Sequence, residues 1–600
     1  MRLIPERLTA SDLNGTTIGT VRVSGSGTYQ LGPLSVDLNF EHTATDLPAW
    51  TWSVANAGDE PVSVWSVSLV LGVEYRGPLR IFRHGYQSWS SCDVATLGVH
   101  RDPSLGNTTG IELIQGVHHA DQRNAAPDEL RSEFVTVLAD ANVPAGPLAT
   151  GAIRIGFDAG VDHDGTFRLR ASGAERAELR SEAFLGGARL DPGVRFGLHG
   201  VSAADGKPST TLLADWARRV GALGAARTSA AFQVGWCSWY HYFHDVTEAD
   251  LRSNLAASGS WPFDVFQLDD GFQAAIGDWL VTNNKFPSDL AGLAQSIAAE
   301  GHTPGLWLAP FIAAPDSQVV ADHPEWVATT RETGGPLPGM LNPPWGGGMD
   351  GLMFALDTTH PDVLAHLEDL GRQVRDAGYD YLKLDFTFAP SFDGAFWDPT
   401  MTPAQRVRAG YDAVRRGAGE DAFILGCGAP LSHVVGVVDG NRIGSDVDPR
   451  WHPRTDDDDD DDGQGYPETM AATVHAFRNT LARSFMHRSL WLNDPDCVML
   501  RTTETDLDPA AVRTWARTVA LSGGMVLVSD DLALLGPDAR QLLDEVVTLG
   551  RAVDAASLAM QPARCDDLLD ANPPTTLSAG GHELVVDVAT GHGVLDGVPQ

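Results

Sequence analysis

From about residue 231 the chain repeats one unit eight times: a short apolar run, a polar loop, then in most cases an amphipathic stretch. The runs occupy residues 232–236, 265–269, 304–308, 381–385, 422–426, 442–445, 490–493 and 525–529. Four or five residues is strand length, whereas the stretches at 290–299 and 363–374 carry apolar residues at helical spacing. Strand–helix alternation predicts a parallel sheet, and eight strands over ~300 residues is the count that closes a (β/α)8 barrel. An open doubly wound sheet is the alternative, but no glycine-rich phosphate loop follows the first run.

The residues before this repeat have a different rhythm. At 17–23, 63–70 and 152–157 apolar and polar side chains alternate, and Gly, Asp and Pro clusters separate such segments. This is the pattern of a large antiparallel β-sandwich, expected over 1–225, with a first helix near 212–220. The barrel is expected over 226–555. Residues 556–600 hold an Asn572-Pro-Pro break and one strand at 583–588, which predicts a small C-terminal β segment.

Two aspartates stand out in the barrel repeat. Asp385 closes the fourth run beside Lys383, and Asp446 follows the sixth run, which begins at Arg442. Residues at the C-terminal ends of barrel strands face one mouth, and a carboxylate pair there suits glycoside hydrolysis, one nucleophile and one acid/base. Other run ends are polar too: Asp269-Asp270 after the second and Asn493-Asp494-Pro-Asp496 after the seventh. Aromatic residues accompany them, Trp236 at the end of the first run, Trp239, Tyr240 and Tyr242 after it, and Trp307 in the third. Sugar rings stack their C–H faces on indole, and their hydroxyls need charged donors and acceptors.

Each of these residues has a plainer reading as well. Asp269-Asp270 could cap a loop, Asp494-Pro-Asp496 is common turn chemistry, and Trp236 and Trp239 taken singly suit a core. His241, His244, His323 and His360 lack metal-ligand spacing and read as packing or surface residues. Co-occurrence on successive run ends favours a site. No motif calls for a metal or cofactor. The seven aspartates at 456–462 read as a solvated loop of like charges. A calcium loop would use Asp458, Asp460, Asp462 and Gly463, but its bidentate acid would fall on Thr469, with Glu468 one position early.

The segments Trp236-Cys-Ser-Trp-Tyr-His-Tyr-Phe243, Phe266-Gln-Leu-Asp-Asp270, Gly305-Leu-Trp-Leu-Ala-Pro, Lys383-Leu-Asp385, Phe423-Ile-Leu-Gly-Cys-Gly428, Arg442-Ile-Gly-Ser-Asp446 and Trp491-Leu-Asn-Asp-Pro-Asp496 come in order over about residues 231–500. In these the chain resembles α-galactosidases of glycoside hydrolase family 36, in the clan shared with family 27. The resemblance implies an N-terminal β-supersandwich, a (β/α)8 barrel and a small C-terminal β domain. It implies Asp385 as nucleophile and Asp446 as acid/base. It places Asp269 and Asp270 on the 4- and 6-hydroxyls, Lys383 and Arg442 on other hydroxyls, Trp307 as a wall, and Cys427 near the 2-position. Trp239 and Tyr240 of the aromatic cluster are substrate-binding candidates, and Trp89 in Gly85-Tyr-Gln-Ser-Trp89 resembles the sandwich loop that reaches over the mouth.

The activity so implied is retaining hydrolysis of terminal α-galactosyl residues in oligosaccharides such as melibiose or raffinose. α-N-Acetylgalactosaminidase and a galactosyltransferase resembling raffinose synthase are the alternatives on the same scaffold. For that mechanism Lys383 should favour an ionised Asp385, and Arg442 should point at substrate or at another acid rather than pair with Asp446. The partner expected is thus an oligosaccharide. A net charge of −37 argues against nucleic acid and anionic membrane, and no run of eighteen apolar residues suggests a membrane span. Five scattered cysteines and the absence of a signal-like core predict a reduced, cytoplasmic protein. Assembly into a homo-oligomer is compatible with all of this.

Overall fold

A computed structural model of the 600-residue chain describes residues 1–41, 47–99, 117–121, 128–345, 351–453 and 470–599. The aspartate run at 456–462 lies outside the described residues. The alternating segments of the first third form two antiparallel sheets. One has six strands in the order Thr17–Arg22, Arg2–Asp12, Val62–Glu74, Arg176–Leu190, Asp164–Gly173, Glu129–Glu133. The other has eight and ends on the pair Arg80–Arg83 and Asp93–Thr96. Facing residues such as Leu69, Leu71, Val73 and Leu179 are buried between them, as the period-two pattern requires.

The eight apolar runs form one parallel sheet: β1 Val234–Cys237, β2 Val265–Leu268, β3 Thr303–Leu308, β4 Tyr381–Leu384, β5 Phe423–Gly426, β6 Gly440–Arg442, β7 Leu492–Asp494 and β8 Val526–Val528. Neighbours run in sequence from β1 to β7, and β8 lies beside β1. The ring closes at β7 and β8 through the Met525 N–H on the Asn493 carbonyl (2.9 Å) and a bridge between Val498 and Val528. Helices follow most strands, their starts set by local chemistry. Thr247 with Asp250 and Thr402 with Gln405 are capping boxes, and Asp289 and Asp508 cap two more. Among the described residues no helix lies between β5 and β6; turns at 427–439 make that crossing. After the helix Pro537–Leu558, five short strands from Arg564 to Pro599 form an antiparallel meander, a more complete sheet than one strand had suggested.

The strand expected at 442–445 falls earlier, at Gly440–Arg442. Gly440 and Asn441 pair with Leu425 and Gly426 on one side and with Leu492 and Asn493 on the other. The Asn441 side chain occupies the space a Cβ on Gly426 would need. Hydrophobicity pointed to Ile443, whereas the ladder is set by small and polar residues whose fit depends on the neighbouring strand.

Sandwich and barrel share one continuous apolar core, from Leu8 through Trp216 and Trp236 to Leu577. Between them the segment 84–92 crosses to the barrel mouth, held by Arg483, whose side chain is fully buried. Its guanidinium donates to the carbonyls of Ser88 (2.6 Å), Ile443 (2.7 Å), Gln87 and Ser90 (both 3.1 Å), and burial pushes it down to about 10. Asn479 Nδ2 adds bonds to Ser88 and Ser90, and Gly428 N–H donates to Ser88 Oγ (3.1 Å). Replacing Arg483 by Met would orphan several buried carbonyls, a cost of about 3 kcal/mol. Arg483→Met should therefore lower the thermal midpoint in a melting experiment; an unchanged midpoint would show that the segment is held without it.

Candidate active site

Asp269 follows β2, Asp385 follows β4, Arg442 ends β6 and Asp494 ends β7, so parallel strands deliver four charged side chains to one end of the barrel. Asp446 comes from the loop four residues beyond Arg442. The site divides into two cationic halves.

In the first half Lys383, buried on β4, places its ammonium 2.9 Å from Asp269 Oδ2 and 4.0 Å from Asp385 Oδ2. Burial alone would strip its proton, but the carboxylates around it, Asp269 foremost, hold the ammonium well above the usual lysine range. Asp385 is anchored at both oxygens: Oδ2 accepts from Trp307 Nε1 (3.0 Å) and Oδ1 from the Phe386 N–H (2.8 Å). Phe386 takes a positive φ of 51°, a backbone turn that brings its N–H back onto the preceding carboxylate. Burial raises Asp385 above the ordinary carboxylate range, against the pull of Lys383 and with a further push from the charge of Asp446. Lys383 thus favours the ionised form as its position suggested, but desolvation outweighs it.

Asp269 and Asp270 are both buried. Asp269 Oδ1 accepts from Asp270 N–H (2.9 Å), and Gln267 Nε2 also donates to Asp269. Asp270 Oδ2 accepts from Trp345 Nε1 (2.7 Å) and lies 3.1 Å from His244 Nδ1. Trp345 and His244 are site residues that periodicity missed. Trp345 sits in a short turn on the long β3–β4 connection, far from the end of any barrel strand, and His244 had read as packing or surface.

In the second half Arg442 is fully buried and shared among three carboxylates: Asp494 through Nε (2.9 Å), Asp446 through Nη1 (3.0 Å) and Asp496 through Nη2 (2.9 Å). The expectation that Arg442 would avoid Asp446 is corrected: it binds that acid together with two others. Ending β6 instead of beginning it, Arg442 points into the mouth, where Asp446 four residues on comes within reach. Asp494 and Asp496, which alone suggested turn chemistry, are the buried counter-ions of this cation. Burial would lower the guanidinium, but Asp494 and Asp496 hold it well above its ordinary value. Asp446 keeps 38% of its side chain exposed, against 9% for Asp385.

Aromatic rings enclose the two halves. Trp307 lies 6.4 Å from both Trp345 and Phe386, and Phe386 lies 5.0 Å from Trp345 and 5.2 Å from Trp89. Trp89 therefore reaches the mouth from the sandwich, and a Cβ on Gly428 would touch both its ring and Asp385. Cys427 is buried beside Asp385, its thiol pushed well above the usual range by burial. Trp239 is half-buried and packs edge-on to Phe243 and His244, while the Tyr240 hydroxyl is committed to Asp496. Among the described residues no trio of His, Cys, Asp or Glu is placed to hold a metal ion, and no helix is long and apolar enough to cross a membrane. All five cysteines are free and buried.

A family model described as Melibiase matches residues 233–388, the segment from β1 to just past Asp385. A curated α-galactosidase of Geobacillus stearothermophilus is 25% identical over 255 residues, covering 38% of this chain and 33% of its own length. The match thus spans about a third of that relative. Among solved structures, an α-galactosidase from Thermus thermophilus in complex with p-nitrophenyl α-D-galactopyranoside superposes with a TM-score of 0.67 at 26% identity, over 94% of this chain and 99% of that one. A GH36 α-galactosidase from Geobacillus stearothermophilus in complex with raffinose shares the fold, with a TM-score of 0.63 at 13% identity, over 98% and 80% of the two chains.

Lys383→Met would leave Asp269 and Asp385 without their shared cation. The thermal midpoint should fall at neutral pH by the equivalent of about 3–5 kcal/mol, the cost of breaking a buried pair. Lys383 is charged throughout the acid range, so its own contribution is constant there. In the variant the two carboxylates repel as they ionise, so the deficit should grow from pH 4 to 7 and shrink on acidification. Melting at several pH values checks this; a deficit independent of pH would assign the loss to packing.

Proposed function

We propose that this chain, which belongs to glycoside hydrolase family 36, is a retaining α-galactosidase that removes terminal non-reducing α-galactosyl residues from oligosaccharides of the melibiose or raffinose type. The observation that carries this reading is the unequal pair of carboxylates at one barrel mouth: Asp385 buried and fixed at both oxygens, Asp446 one-third exposed beside Arg442. A nucleophile must be held in line with the anomeric carbon, and an acid/base must exchange its proton with leaving group and water.

In the proposed reaction Asp385 attacks the anomeric carbon as the glycosidic bond breaks, and Asp446 gives its proton to the departing oxygen. A covalent galactosyl-enzyme results. Asp446, now ionised, takes a proton from water, whose oxygen attacks the anomeric carbon and releases Asp385. The sugar product keeps its α configuration. Asp269 and Asp270 would take ring hydroxyls, with Lys383, Trp345 and His244 fixing the two acids, and Trp307, Trp89 and Phe386 would supply the apolar wall. The likeness to a Thermus thermophilus enzyme solved with p-nitrophenyl α-galactoside and with stachyose supports this choice of substrate.

Asp385→Ala should fold and lose activity by roughly 10³-fold or more. Asp446→Ala should be hit hard on raffinose and far less on p-nitrophenyl α-galactoside, whose leaving group needs little protonation; equal losses on both would remove its acid role. Because burial raises Asp385, the wild-type rate should already fall with acidification above the ordinary carboxylate value of ~4, since only the ionised form attacks. A parallel assay on the p-nitrophenyl α-N-acetylgalactosaminide decides the sugar, and excess acceptor sugar reveals any transferase activity.

A further inference from the structure

Asp496 is fully buried and belongs to no strand, yet both of its side-chain oxygens are engaged. Oδ1 accepts from the Cys497 N–H (2.7 Å) and lies 2.9 Å from Arg442 Nη2. Oδ2 accepts from the Val447 N–H (2.9 Å) and from the Tyr240 hydroxyl. Its φ is +93°, a conformation that costs a non-glycine residue about 1–3 kcal/mol and persists only where surroundings enforce it. Two of these contacts converge on Asp446: Val447 is its chain neighbour, and Arg442 is bound to its side chain (3.0 Å).

We propose that Asp496, held by the Tyr240 hydroxyl behind Arg442, is a positioning residue whose charge controls the proton on Asp446. This rests on the reading of Asp446 as the acid/base. One cation faces three carboxylates here, and Asp494 and Asp496 have no access to water. The groups facing Asp496 are Arg442 from β6, Asp446 beyond it, Asp494 from β7, Tyr240 after β1, and the Cys497 thiol. Burial, with the charges of Asp446 and Asp494 and against Arg442, lifts Asp496 to about 7. Burial also drives the Tyr240 phenol well upward, so the tyrosine stays a donor to the Asp496 carboxylate.

The consequence for Asp446 follows from charge. Ionised Asp496 draws on Arg442 and repels negative charge on Asp446, which keeps the acid protonated to higher pH. Neutral Asp496 leaves Arg442 to Asp446, which then releases its proton sooner. In Asp496→Asn the position can never ionise. In Tyr240→Phe the lost donor makes ionisation of Asp496 harder. Both changes push in the same direction.

The test is the pH profile of kcat/KM for raffinose in the wild type, Asp496→Asn and Tyr240→Phe, with melting curves to establish folding. The alkaline limb should move toward acid by roughly one pH unit in Asp496→Asn. It should move the same way, by less, in Tyr240→Phe, with p-nitrophenyl α-galactoside much less affected. A uniform rate loss with the limb unmoved, or a shift toward alkali, would overturn the proposal; should Asp496→Asn not fold, Tyr240→Phe decides alone. Asp446→Ala, assayed on the same two substrates, tests the acid/base reading separately. A leaving-group effect there with unmoved limbs here would sink only the role of Asp496.

Discussion

The barrel mouth is organised by the cost of taking charge out of water. Lys383 and Arg442 are buried, and each is met by carboxylates at hydrogen-bond distance, which offset the cost of desolvating its charge. Asp269 and Asp385 meet the first, and Asp446, Asp494 and Asp496 surround the second. These seven residues come from the ends of only four strands, β2, β4, β6 and β7, or from the loops just beyond them. The surrounding rings, Trp307, Trp345, Phe386 and Trp89, keep water out and so strengthen every interaction within.

The two cations are used differently. Lys383 is divided between Asp269 after β2 and Asp385 after β4, so the carboxylates of two strand ends are tied through one ammonium. Arg442 is divided between a partly exposed acid and two buried ones. That asymmetry leaves Asp446 able to exchange protons with its surroundings while its charge is balanced from behind. The same scaffold thereby holds two carboxylates in unlike environments, the condition under which one acts as nucleophile and the other as acid/base.

Among the described residues, the sandwich reaches this site through the segment 84–92. Trp89 stands at the mouth because Arg483 binds the backbone carbonyls on either side of it, and because Gly428, at a φ of 53°, leaves room for its ring. Arg483 comes from beyond the helix Thr473–Ala482 and also binds Ile443, one residue past β6. The cation that fixes the sandwich segment thus grips the loop leading to Asp446, so stability at the junction and geometry at the mouth are not separable.

Much of this was legible in residues taken singly. Period-two alternation marked the sandwich, eight apolar runs marked the strands, and their polar ends marked Asp269, Asp385 and Asp446 as belonging to one place, since burial patterns and strand ends are local properties of the chain. What local pattern does not contain is which partner a buried charge selects. Arg442 was expected away from Asp446 and binds it, because β6 is set two residues earlier by the fit of Asn441 against Gly426. Asp494-Pro-Asp496 looked like a turn and is the counter-ion pair of that arginine. Trp345 and His244 carry no periodic signal and reach Asp270 from separate loops. The sequence by itself determined the barrel, the sandwich and the two principal acids. Only the tertiary structure decided how five carboxylates share two cations, because that is a matter of distances across strands, and electrostatic energy in a dry site depends on those distances and not on position in the chain.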